Sequence, residues 1–228
     1  MEKMIYLLSK HEKQSLEDLK SALLGPVIGD LRSWGASRIT VNIADLNDTI
    51  QADAPGRLIG AWQDISAAVA FWHDCLDQRG PIEARLKQIS DSITGYLVTE
   101  SVPQSFVPTW EGGDRRPGIT QFGANGKPEN VNDEEFYHNW QVVHSASSFE
   151  LHPRRWSYVR NSVARPLTKN APTYRAIVSE HFRELDDFTH DSRYFGSEAA
   201  LQAMIEEIPG FCDLDNMFSL AMSEYYFE

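Results

Sequence analysis

The order of strands and helices that hydrophobic periodicity predicts occurs twice in this chain: strand, helix, strand, strand, helix, strand. The first helix of each half has three matched positions spaced four residues apart, namely Leu19, Leu23 and Val27 in the first half and Phe136, Trp140 and His144 in the second. Only the second copy has polar groups at these positions. A duplicated pattern with one polar and one apolar copy indicates that function is confined to the second half.

Each strand–helix–strand–strand–helix–strand unit is the ferredoxin-like arrangement, a four-stranded antiparallel sheet with helices on one face. The bare face of such a sheet must be covered, and the sheet of the other half is the simplest cover. The sequence therefore predicts an α+β fold in which two ferredoxin-like βαββαβ repeats form a (pseudo)dimeric α/β barrel. Residues 1–103 form a degenerate structural repeat, 104–117 a linker rich in Pro and Gly, and 118–228 the site-bearing repeat.

The first half contains several predicted elements between its helical stripe and the linker. A kink is expected near Gly25-Pro26, because proline interrupts helical hydrogen bonding. The apolar and β-branched segments predict strands, which are Met4–Ser9, Arg38–Ala44, Leu58–Gln63 and Ile93–Ser101. The segment Ala67–Leu76 is predicted to be helical, and the polar segment around Pro81–Ser90 is an insertion whose helical character stays open.

In the second half, Asn132 begins a helix, and Glu135 is its capping-box partner. Ser197 caps another helix, whose inward-facing stripe is expected to be Leu201, Met204, Ile205 and Ile208. Four strands complete the unit, namely Ile119–Phe122, Trp156–Val163, Tyr174–Phe182 and Phe218–Tyr226.

The charge balance limits the classes of partner. The 33 acidic residues against 21 basic ones give a formal net charge of -12, which argues against a nucleic-acid or anionic-membrane partner. No apolar stretch approaches the roughly 20 residues that cross a bilayer, and the first residues lack the apolar run of a signal peptide. We therefore expect a cytoplasmic protein, with a homodimer as a further possibility.

The chain lacks the sequence patterns of a metal or nucleotide site. Cys75 and Cys212 form no CxxC motif. His138 and His144 are six residues apart and face different sides of a helix, and neither HxxxH nor HExxH occurs. No phosphate-binding glycine loop or GxSxG elbow is present. The sequence thus predicts no metal and no cofactor.

His144 is the strongest candidate for chemistry. Helical periodicity places it on the side that faces the sheet, together with Phe136 and Trp140. One interpretation is a core histidine that is hydrogen-bonded in place, and the other is a general acid or base, because imidazole titrates near neutral pH. The matching Val27 indicates that the fold accepts an apolar residue there, which favours the functional interpretation.

The run Glu135-Phe136-Tyr137-His138-Asn139-Trp140-Gln141-Val142-Val143-His144, the strand Tyr158-Val159-Arg160-Asn161 and Glu224 together resemble the EthD family of dimeric α/β-barrel proteins. The resemblance covers most of residues 116–228. It implies cofactor-free chemistry on small, often aromatic or polyketide-like molecules, such as decarboxylation, lactone isomerisation, cyclisation or dehydration. The chain departs from the family at Arg175, where an aspartate often follows the tyrosine of the third strand.

The strands of the second half supply possible partners for His144. Glu180 and His181 are adjacent, so a regular strand points only one of them into a shared cavity. Either would form an acid/base pair with His144, and the alternative for each is a solvated rim position. A desolvated carboxylate there would have a raised pKa.

The strand before them offers further candidates. Tyr158 and Arg160 share one side, and Asn161 lies on the other. A tyrosine can donate a hydrogen bond to an enolate or phenolate oxygen, and an arginine can hold a carboxylate. The alternatives are surface ion pairing for Arg160 and a backbone hydrogen bond for Asn161. Trp140, Phe136 and Glu224 complete the expected substrate-binding set.

These features predict a cofactor-independent lyase or isomerase with His144 as general acid/base. Its expected substrate is a small hydrophobic molecule of aromatic or polyketide-like type. Two other functions remain open from the sequence: a non-catalytic small-ligand-binding or stress-response barrel, and a cofactor-free oxygenase of the antibiotic-biosynthesis monooxygenase type. In each case we expect the site in a cavity enclosed between the two sheets.

Overall fold

A computed structural model describes all residues, 1–228, and shows an α+β fold in which eight antiparallel strands close into a barrel. Around the barrel the strands follow the order β1-β3-β2-β8-β5-β7-β6-β4. The strands are β1 (Glu2–Ser9), β2 (Ser37–Ile43), β3 (Ala67–His73), β4 (Ser92–Gln104), β5 (Ile119–Gly126), β6 (Arg155–Pro166), β7 (Ala176–Phe182) and β8 (Asp213–Phe227). Closure leaves no unpaired sheet edge.

The two halves of the chain are joined by two strand pairs. β2 pairs with β8, with Asn42 opposite Glu224, and β4 pairs with β6, with Glu100 opposite Asn161. All four of these polar residues are therefore brought to the two seams between the halves. All four also line the interior of the barrel.

A long helix covers the outer face of each half, at residues 16–33 and 133–151. Each has a π-helical segment in its middle, Leu23–Val27 in the first and Asn139–His144 in the second. The predicted capping box of Asn132 and Glu135 is present, and the kink predicted near Pro26 coincides with the first π-helical segment. The other helices are Asn47–Asp53, Gly80–Ile89, Leu185–Thr189, Asp191–Tyr194 and Glu198–Glu207. None of the helices combines the length and the apolarity that crossing a bilayer requires.

The first half differs from the sequence prediction at two segments. The segment predicted as a helix at Ala67–Leu76 contains strand β3, and the strand predicted at Leu58–Gln63 is a loop with one isolated bridge at Ile59. All residues of β3 except Trp72 are buried, because one face packs on the helices and the other lines the barrel. A strand buried on both faces has a continuous apolar run, which periodicity cannot distinguish from a buried helix.

The strands divide their side chains between two cores. Met4, Tyr6 and Leu8 of β1 pack outward against the helix at residues 16–33, whereas Ile5 and Leu7 belong to a separate cluster toward the barrel. This alternation follows from the two-residue period of a strand. The second half has the same two layers, so its sheet has a helix-facing side and a barrel-facing side, and each side borders its own cavity.

Candidate functional site

A cavity of about 170 Å³ lies between the helices and the outer face of the second half's sheet; we call it the helix-side pocket. Only β5 to β8 among the strands contribute to it, together with the helices and a loop of the first half. Its wall is mostly apolar and aromatic, and includes Trp140, His144, Tyr158, Tyr194, Phe195, Met204, Ile208, Phe211 and Phe218. A largely apolar cavity with a few polar groups is the usual form of a small-molecule site.

His144 lies at the end of the π-helical segment and is 5% exposed. Its Nδ1 lies 3.0 Å from Oε2 of Glu207, and its ring stacks on Phe211 with 4.5 Å between centroids. Because a carboxylate only accepts hydrogen bonds, Nδ1 carries the proton and donates it to Glu207. This tautomer leaves the lone pair of Nε2 free, and Nε2 makes no hydrogen bond within the chain.

The environment of His144 determines its protonation state. Burial lowers its pKa below the usual value near 6.5, and the hydrogen bond that it donates to Glu207 offsets this only in part. Ser147 also donates a hydrogen bond to the same Glu207 oxygen, at 2.8 Å, and so fixes that carboxylate. At neutral pH the imidazole is therefore uncharged, with a basic Nε2 and with the Glu207 carboxylate hydrogen-bonded to its Nδ1.

A second buried pair lies beside the first. Nη1 of Arg155 donates to Oε1 of Glu180 at 2.6 Å, and its guanidinium lies 4.2 Å from the ring centroid of Tyr158. Burial disfavours the charged form of Glu180, but Arg155, together with the nearby His152 and His144, outweighs this effect and the pKa of the carboxyl lies below its usual value. Burial raises the pKa of Tyr158, so its hydroxyl stays protonated and can donate a hydrogen bond.

The structure brings four of the predicted site residues to the helix-side pocket: Trp140, His144, Tyr158 and Glu180. Two others lie near it without lining it. Phe136 is fully buried behind Trp140, with 5.8 Å between ring centroids, and Arg160 donates to Ser145 Oγ and to the carbonyl of Gln141. Phe136 thus supports the wall, and Arg160 ties β6 to the helix.

Three predicted residues lie on the opposite side of the sheet. Asn161 and Glu224 line the interior of the barrel. His181 lies 2.7 Å from Oγ1 of Thr120 and 2.8 Å from the carbonyl oxygen of Pro117. The alternation of β7 thus places Glu180, not His181, on the side of His144. The expectation that His144 reaches the space between the two sheets was wrong, because its helix packs on the outer face.

Sequence reasoning missed the actual partner of His144. Glu207 follows Met204 by three residues and precedes Ile208, so it lies beside the predicted inward stripe of its helix. A carboxylate beside the inward-facing stripe is the sequence feature that could have indicated this partner. Ile205, which we had placed in the stripe, is 54% exposed. Arg155, the partner of Glu180, is likewise absent from the site residues predicted from the sequence.

The side chains offer few ligands for a metal. No group of three His, Cys, Asp or Glu side chains is arranged to hold an ion. Nε2 of His144 is the pocket's one free imidazole nitrogen, and a histidine whose other nitrogen donates to a carboxylate is a common metal ligand. A metal at this nitrogen would need its remaining ligands from water or from a bound molecule.

The comparisons with known proteins show a similarity in fold but none in sequence. No protein-family model matches the chain, and no curated protein matches it in sequence. An anthrone oxidase-like protein superimposes with a TM-score of 0.61 at 9% identity, over 99% of this chain and 92% of the other. A candidate monooxygenase from Fusobacterium nucleatum gives 0.56 at 9% identity, over 100% and 92% of the two chains.

A chlorite dismutase variant from Candidatus Nitrospira defluvii superimposes with a TM-score of 0.52 at 12% identity, over 98% of this chain and 90% of the other. These similarities extend over nearly the whole of each chain, so the complete barrel is shared rather than one half of it. At such low identity they show the fold alone, a closed barrel of eight antiparallel strands with helices outside it.

Proposed function

We propose that this protein is a cofactor-independent lyase or isomerase in which His144 moves a proton on a small, flat, enolisable molecule bound in the helix-side pocket. The observation that carries the proposal is the hydrogen bond to Glu207 made by His144, whose ring lines a largely apolar cavity. A carboxylate that orients a histidine and stabilises its charged form is a recurring device of general acid–base catalysis. Decarboxylation, dehydration, cyclisation and lactone isomerisation all use such a proton transfer.

The proposed mechanism begins when Nε2 of His144 removes a proton from the carbon beside a carbonyl group. The imidazolium that forms is stabilised by Glu207 through Nδ1. Tyr158 donates a hydrogen bond to the enolate oxygen, and the indole of Trp140 packs on the substrate ring. Return of the proton to another carbon completes an isomerisation, and loss of a leaving group after proton removal completes an elimination.

The proposal includes the finer features inferred from the sequence. The two halves are ferredoxin-like repeats, with residues 1–103 structural, 104–117 a linker and 118–228 an EthD-like catalytic repeat. The presence of a π-helical segment at the same place in both halves supports this duplication. π-helical turns are often found at functional sites, and in this chain only the second one ends in a titratable residue, His144. Dimer formation and a cytoplasmic location remain predictions.

Hydrogen–deuterium exchange tests the proposed chemistry without knowledge of the natural substrate. 2-Tetralone is a flat, enolisable ketone, and its exchange in D₂O is followed by mass spectrometry under anaerobic conditions. We expect the wild-type protein to accelerate exchange, and His144→Ala to reduce the rate by at least the 100-fold that general-base catalysis typically contributes. Equal rates for wild type and His144→Ala would refute the role of His144.

Glu206→Gln is the matched control for Glu207→Gln. Glu206 is exposed on the same helix and accepts a hydrogen bond from Gln202, at 2.9 Å. We expect Glu206→Gln to exchange like the wild type and Glu207→Gln to be slower. Thermal unfolding of each variant shows whether slower exchange reflects weaker catalysis or loss of the folded state.

A cofactor-free oxygenase is the second candidate, and the likeness to an anthrone oxidase-like protein and a candidate monooxygenase favours it. The same His144 would remove a proton from the substrate, and the carbanion would then react with O₂. Anthrone separates the two functions, because its oxidation by one O₂ gives anthraquinone and one water. Oxygen uptake that depends on His144 supports the oxygenase, whereas anaerobic exchange without oxygen uptake supports the lyase or isomerase. A ligand that is retained unaltered supports a binding protein.

A further inference from the structure

A second cavity, of about 290 Å³, occupies the inside of the barrel; we call it the barrel chamber. All eight strands contribute side chains to it, whereas the helix-side pocket involves only β5 to β8. Because neighbouring residues of a strand point to opposite sides of the sheet, Val159 lines the chamber and Tyr158 lines the pocket. The two cavities are therefore separated by the sheet.

The charged groups of the barrel chamber are paired with one another. Lys3 forms an ion pair with Glu100 and donates to Oδ1 of Asn161 at 2.8 Å. On the other side, Nη1 of Arg116 donates to Oε1 of Glu224 at 2.8 Å. Two cations and two carboxylates leave the chamber with no net charge, so a charged ligand would be desolvated without a counter-ion.

Two polar atoms at the chamber are left without partners. Oδ1 of Asn42 accepts no hydrogen bond, although the residue is only 3% exposed, and Nε of Arg116, also 3% exposed, donates none. Leaving a buried donor or acceptor unpaired is unfavourable, because the group has lost its hydrogen bonds to water. Both residues line the chamber, so a small rotation of either side chain brings an unpaired acceptor or donor into a cavity large enough for more than a single water molecule.

The rest of the lining combines apolar residues such as Ile5, Ala70, Phe122 and Val159 with the small polar residues Thr40, Ser105 and Ser179. Phe106 closes the end nearest the linker, where its ring lies 3.7 Å from the guanidinium of Arg116. The chamber volume lies close to the lower end of small-molecule sites, about 300–1,000 Å³. It suits a single ring with one small polar substituent.

We propose that the barrel chamber is a second binding site, separate from the helix-side pocket, for a small uncharged molecule that carries both a hydrogen-bond donor and an acceptor, such as a primary carboxamide on a single ring. The carboxamide N–H donates to Oδ1 of Asn42, and the carboxamide oxygen accepts from Nε of Arg116. The ring packs on Phe122. This site is independent of the chemistry proposed for His144.

Three isosteric probes test the proposal by calorimetry: benzamide, benzoate and benzamidine. They share one ring and differ in charge, being neutral, negative and positive. We expect the wild-type protein to bind benzamide at least tenfold more tightly than either charged probe. Equal or tighter binding of benzoate or benzamidine, or no binding of benzamide at millimolar concentration, would overturn the proposal.

Two variants of Asn42 locate the bound probe. Asn42→Leu keeps the size of the side chain but removes its polar atoms, and should weaken benzamide binding at least tenfold. Asn42→Asp introduces a negative charge and should reverse the preference toward benzamidine. His144→Ala changes the other cavity and should leave benzamide affinity unchanged. Loss of binding in His144→Ala with retention in Asn42→Leu would assign benzamide to the helix-side pocket and refute the second site.

Discussion

Nδ1 of His144 and Oε2 of Glu207 are 3.0 Å apart and connect the helix at residues 133–151 to the helix Glu198–Glu207. His144 lines the helix-side pocket with Glu207 behind it, and the free Nε2 of the same imidazole is available for chemistry. The geometry therefore combines a structural link between two helices with a base whose tautomer is fixed. Its consequences for titration can be measured directly.

We predict that the exchange activity proposed for His144 increases with pH and reaches half of its plateau value below pH 6.5. Burial lowers the pKa of this imidazole, so the free base predominates already in mildly acidic solution. Glu207→Gln removes a group that raises this pKa, and should therefore move the plateau to still lower pH. NMR titration of the His144 ring in both proteins measures the shift. A midpoint at or above pH 6.5 would contradict the lowered pKa.

The buried pair of Arg155 and Glu180 yields a prediction on stability. Arg155→Met leaves the Glu180 carboxylate without its cation, and should destabilise the fold by about 3–5 kcal/mol in urea unfolding. The double variant Arg155→Met, Glu180→Leu should lose much less than the sum of the two single variants, because it leaves no unpaired charge. Additive losses would show that the pair is not coupled. Asp133→Asn, at an exposed ion pair with Arg175, should have a much smaller effect.

Acid should destabilise the fold through its buried histidines. Burial lowers the pKa of His152 and of His181 to about 4, from 6.5 in the unfolded chain. Between these values the unfolded chain binds more protons, so stability falls with falling pH by up to about 1.4 kcal/mol per pH unit for each histidine. Urea unfolding between pH 7 and pH 5 should show a shallower pH dependence for His152→Gln. His11→Gln, at an exposed site, should match the wild-type slope.

Gly118 precedes β5 and adopts a left-handed conformation, with φ of 107°. A Cβ atom there would lie 2.1 Å from the carbonyl oxygen of Phe182, so Gly118→Ala should destabilise the fold by more than about 1 kcal/mol. Gly29 is helical, and a Cβ atom there meets nothing within 4 Å. Gly29→Ala should therefore stabilise the protein by about 0.5–1 kcal/mol. Thermal unfolding of both variants measures the contrast, and similar changes would contradict it.

The local features of the helix that carries His144 could be predicted from the sequence. Side-chain hydrogen bonds of Asn132 and Glu135 cap its start, and a period near 3.6 buries Phe136, Trp140 and His144 on one side. The repeated order of strands and helices likewise indicated a barrel with its helices outside. The cap and the buried side of this helix depend on residues close together in sequence, so they can be predicted without the tertiary structure.

The tertiary structure decided which partners meet. Strand alternation separates Glu180 from His181, but only the packing of the helices shows that His144 lies on the Glu180 side and bonds to Glu207 instead. Strand β3 was predicted as a helix, because its burial on both faces leaves no alternation of polar and apolar residues in its sequence. Ion pairs such as Lys3 with Glu100 join residues 97 positions apart, and chain closure, not local sequence, places them within one chamber.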